Sequence, residues 1–148
     1  DAQFELWQRI TLKVDATHAA VNRLRRVREQ VVEWTKRAAG VGTERDIAAT
    51  SDALLTKLEE IESELVQTKA MTSRDSLRHK ARLNAKLISL ISVVACAAAR
   101  PTQQTYDVFE HLSTLVDEQL LRLDTVLAED LDVLTAQLEE QNIPYITL

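Results

Sequence analysis

Residues 102–141 read TQQTYDVFEHLSTLVDEQLLRLDTVLAEDLDVLTAQLEEQ. Phe109, Leu112, Val116, Leu120, Leu123, Leu127, Leu131, Leu134 and Leu138 recur in steps of three or four without a slip. That spacing keeps one apolar stripe on one side of an α-helix for its whole length. The stretch contains no Gly or Pro, which cost about 1 and 3 kcal/mol in a helix interior. It therefore predicts one long helix, from a Thr102 cap to about Gln141. Pro101, just upstream, ends whatever helix precedes it, because the residue before a proline avoids the helical region.

The same pattern extends outward from this stretch. Phe4, Trp7, Ile10, Val14, Thr17, Val21, Leu24, Val27, Val31, Trp34 and Ala38 form an equivalent stripe. They predict a first long helix over roughly 3–39. Thr17 is its one polar interruption, and its hydroxyl can bond a carbonyl one turn back. Gly40 supplies a left-handed cap, and Thr43, followed by Glu44 and Asp46, makes an N-cap with acid in the next first turn. A second helix, near 44–68, carries Ile47, Leu54, Leu58, Ile61 and Leu65. The pattern lapses over 69–75, where Thr72 and Ser73 offer capping hydroxyls. A third helix carries Leu83, Leu87, Leu90, Ile91 and Val94; the sequence leaves its start open, since 75–81 reads either as a helical turn or as an extended approach. Pro144 closes the last segment.

Charge alternates with these segments. Residues 1–40 hold 8 basic and 5 acidic groups (+3) and residues 41–72 hold 3 and 7 (−4). Residues 73–101 hold 6 and 1 (+5), and residues 102–148 hold 1 and 10 (−9). Opposite signs on neighbouring segments bias topology, although each exposed pair is worth only about 0–1 kcal/mol. The expected fold is all-α: an antiparallel up-down-up-down four-helix bundle with long first and fourth helices, forming a single domain over 1–148.

Composition narrows the function classes. At 148 residues, with 45% apolar and 28% charged side chains, the chain can bury one helical core. Cys96 is the only cysteine, which excludes an internal disulfide and a thiolate metal cluster and leaves the compartment open. The longest uncharged run, Leu87–Ala99, has 13 residues, short of the ~20 that span a bilayer. The sequence begins at Asp1 without an initiator Met, so it reads as an excised or processed domain. Its absent leader then says nothing about targeting.

Chemical motifs are weak by the same residue-level test. A di-iron bundle needs Glu-x-x-His pairs; the nearest arrangements, Asp15 with His18 and Asp107 with His111, lie beside the stripes and read as polar residues facing water. Arg23, Arg25, Arg26 and Arg28 point in several directions around a helix, with no aromatic platform, in a chain of net charge −5. Pairing with the acidic second and fourth helices explains them better than nucleic acid. The acids of the fourth helix, Asp107, Glu110, Asp117, Glu118, Asp124, Glu129 and Asp130, read as a solvated face rather than a glycosidase pair. No Ser/His/Asp or phosphate-loop motif occurs. These residues imply no catalytic, cofactor-binding or metal site.

One stretch is apolar beyond need. From Leu87 to Ala99 the third helix is hydrophobic around most of its circumference. Either the longer helices cover the extra face, or it is an interface with a second copy or another part of a parent chain. The candidate interface residues are Trp7, Trp34, Leu90, Ile91, Val94 and Ala98, because aromatic and aliphatic anchors dominate interfaces.

Several stretches resemble the C-terminal helical region of bacterial sortilin-like, BNR-repeat β-propeller proteins, often grouped with glycosyl hydrolases. They are AQFELWQRI at 2–10, HAAVNRLRRVREQ at 18–30, LNAKLISL at 83–90, ARPTQQTYDVFEHLS at 99–113 and NIPYI at 142–146. The resemblance is weakest between 40 and 75, and the chain departs from it in its alanine-rich surroundings of Cys96 and its basic 69–82 connection. It implies a C-terminal appendage to a propeller, ending at its natural terminus near Leu148, with a secreted or periplasmic parent compatible. Any glycosidase or ligand-binding activity would then reside in the propeller, and no catalytic residue carries over to this chain. The expected function is a non-catalytic interaction or assembly domain whose partners are the propeller, a second copy, or both. Two alternatives are a helical part that completes a hydrolase active site and a ligand-sensing bundle; the second would need core polar groups beyond Thr17.

Overall fold

A computed structural model describes residues 1–39, 44–69 and 79–142. Four helices account for it: α1 (Ala2–Ala38), α2 (Glu44–Leu65), α3 (Leu83–Cys96) and α4 (Gln103–Glu140). The protein is an all-α four-helix bundle with long first and fourth helices, and among the described residues there is no strand. The expected caps at Gly40, Thr43, Thr72 and Ser73, and the stop at Pro144, lie outside the described residues.

The helix ends have local causes. The Asp1 carboxylate accepts the Gln3 amide at 3.1 Å and opens α1. Thr102 caps α4 as its position suggests, its hydroxyl oxygen accepting the Thr105 amide at 3.3 Å. At the other end of α4, Asn142 takes φ 54 and donates its amide to the Glu139 carbonyl at 2.9 Å. Asparagine is among the few non-glycine residues that tolerate this left-handed geometry, so α4 stops at Glu140. α3 ends at Cys96, well before Pro101, with Ala97 extended. The Gln3 side-chain amide donates to the Val94 and Ala97 carbonyls at 2.7 and 3.0 Å, satisfying acceptors that the helix end leaves open.

The chain forms two compact units, each built on one segment of the long helices. The first comprises Asp1–Val21 and Ser63–Leu120. Here α3 packs on the first part of α1 and of α4 through Leu6, Ile10, Val14, Leu83, Leu87, Leu90, Val94, Phe109, Leu112 and Val116, all buried. Arg9 pairs with Glu110 at 2.5 Å and Lys13 with Asp117 at 2.6 Å. The two pairs climb both helices together, so these segments of α1 and α4 run parallel. α3 runs against them, its C-terminal end lying at Gln3.

The second unit comprises Asn22–Glu62 and Leu121–Leu148. Its buried layer is Leu24, Val27, Val31, Ala38, Ile47, Leu54, Leu58, Ile61, Leu123, Val126, Leu127, Leu131, Leu134 and Leu138. α2 is antiparallel to α1, with Glu62 against Arg25 and Arg28 and Ser51 against Thr35. It is antiparallel to α4 as well, with Lys57 on Asp130 and Glu60 on Arg122. Direction thus alternates between each short helix and the long pair, while α1 and α4 run the same way. Strict up-down-up-down order would oppose them. The lengths give the reason: α2 and α3 have 22 and 14 residues against 37 and 38 for α1 and α4. Neither short helix matches a long one, and each serves one segment of the long pair.

Burial follows most of the stripe positions, with Trp34, Ile91 and Leu120 only half-buried and a shift of phase at the start of α1. Phe4 and Trp7, expected in the core, are 58% and 36% exposed, and Leu6 is 1% exposed in their place. The inward series is Leu6, Ile10, Val14 and Thr17, in steps of four, four and three. Thr17 is fully buried and its hydroxyl donates to the Lys13 carbonyl at 2.8 Å, one turn back as expected.

Candidate functional site

Three arginines of the cluster and four acids of α4 hold helices together. Arg23 reaches Asp124 at 3.3 Å, while Arg25 and Arg28 converge on Glu62. Glu110, Asp117, Asp124 and Asp130 each meet a base from α1 or α2. Asp15, His18, Asp107 and His111 are all exposed, and no group of three metal-ligating side chains occurs among the described residues. No helix, among the described residues, is long and apolar enough to cross a membrane.

The six residues read as interface anchors fall into different settings. Leu90 and Val94 point into the core of the first unit and are unavailable to a partner. Ile91 is half-buried and Ala98 exposed. Trp7 is exposed and stacked on Phe4, with ring centroids 6.0 Å apart and planes at 22°. Trp34 belongs to the second unit, where it is half-buried beneath the Arg37 guanidinium, 4.2 Å from the ring centroid. A cation over the ring face satisfies the ring's electrostatics locally.

The apolar surface of α3 that remains is carried by two residues of its uniformly apolar run that are not among the six anchors. Ile88 and Val93 are 44% and 59% exposed. Helix geometry accounts for the sorting: Leu83, Leu87, Leu90 and Val94 follow the three-and-four spacing inward, and Val93, one position from Val94, points about 100° away. The signal that could have separated them was phase, but so uniformly apolar a run contains little phase information. In the same unit, Phe4 and Trp7 add two exposed rings.

Surface depressions offer little enclosed volume elsewhere. One of about 560 Å³ is lined by Arg28, Glu29, Val32, Glu33, Lys36 and Arg37, all on α1, so its lining comes from one helix face. A different pocket, of about 390 Å³, lies in the first unit at the start of α3 and is rich in cations.

No family model matches the chain, and neither a curated protein nor a solved structure matches it significantly. The class rests on the fold itself: a four-helix, all-α chain in which seven ion pairs join one helix to another among the described residues.

Proposed function

We propose that this chain is a non-catalytic helical interaction domain that docks through the first unit, using Phe4 and Trp7 of α1 and Ile88 and Val93 of α3. The observation carrying this reading is the exposure of two stacked aromatic rings and two branched aliphatic residues in one unit. Large apolar side chains left in water gain about 25 cal/mol per Å² when covered, and such anchors supply most of the energy in interfaces. The resemblance to propeller-linked helical regions favours a β-propeller of the parent chain as the occupant.

The test is calorimetric titration of the 148-residue chain with the separately expressed propeller of its parent. The expected result is saturable binding that Phe4→Ser and Val93→Asp each abolish while helicity stays unchanged. Absence of binding, or binding insensitive to both substitutions, overturns the reading. Sedimentation of the chain alone distinguishes self-association: a concentration-dependent dimer sensitive to the same substitutions would replace the propeller by a second copy.

A further inference from the structure

We draw no further inference here: the strongest candidate, the depression of about 560 Å³ along the Arg28–Arg37 face of α1, is lined by side chains of that one helix, and nothing in the structure shows what covers it.

Discussion

Arg25 Nε lies 2.6 Å from Oε1 of Glu62, whose side chain is only 3% exposed. The other carboxylate oxygen is taken by Arg28. Both arginines lie on α1 and remain partly in water, so the buried member of the cluster is the acid, on α2. The arrangement fixes the register of α2 against α1 in the second unit, because sliding α2 by one turn would strand the carboxylate among apolar side chains.

The consequence is an asymmetry in stability. Removing both cations by Arg25→Ala and Arg28→Ala leaves an unpaired buried carboxylate, which should cost about 3–5 kcal/mol. Glu62→Leu instead removes the buried charge and frees two arginines that water already reaches, so it should cost well under half as much. Urea unfolding of the two variants checks this; an equal loss would show that the acid is not the constrained partner.

The phase of α1 near its start gives a second prediction. Leu6 is core and Phe4 is surface in the structure, whereas their order by hydrophobic stripe is the reverse. Leu6→Ala should cost about 2–5 kcal/mol, the range for deleting buried methyl groups. Phe4→Ala should cost less than about 1 kcal/mol, as surface changes do. Thermal or urea unfolding reads both, and a larger loss for Phe4 would restore the original stripe.

These cases show what the sequence made legible. The helices and most core positions follow from periodicity, since Leu54, Leu58, Ile61 and Leu65 or Leu127, Leu131, Leu134 and Leu138 admit only one inward face. Phase fails where apolar residues are dense. Phe4, Leu6 and Trp7 offer two competing stripes, and Leu90, Ile91, Val93 and Val94 offer several. Direction was also hidden, because charge sign says which segments pair and not whether they run together. Helix length carried that information: 22- and 14-residue helices cannot each match partners of 37 and 38. The pocket at the start of α3, lined by Lys80 and Gln119 among others, was illegible for another reason. Gln119 is about forty residues from Lys80, and no local spacing brings them together.

Adjacent valines on α3 provide a third prediction. Val94 is buried and Val93 is exposed. Val94→Asp places an unpaired carboxylate in the core and should unfold the first unit, reducing helicity by circular dichroism. Val93→Asp should leave stability within about 0.5 kcal/mol, as for other surface substitutions. Only the second substitution can therefore report on docking, and an equal loss of helicity in both would place Val93 in the core.

The hydroxyls of Thr35 and Ser51 lie 2.5 Å apart, with Ser51 fully buried. Thr35 already donates its only hydroxyl proton to the Val31 carbonyl at 2.6 Å. Ser51 must then be the donor to Thr35, which sets an order of effects. Ser51→Ala removes one donor and leaves Thr35 satisfied by Val31, so it should cost about 1 kcal/mol or less. Thr35→Val takes away the acceptor, leaves a buried Ser51 hydroxyl to find another, and should cost about 1–3 kcal/mol. In the double variant no stranded hydroxyl remains, and its cost should fall below the sum of the two. A double-mutant cycle in urea measures that difference; strict additivity would mean that the two hydroxyls are not coupled.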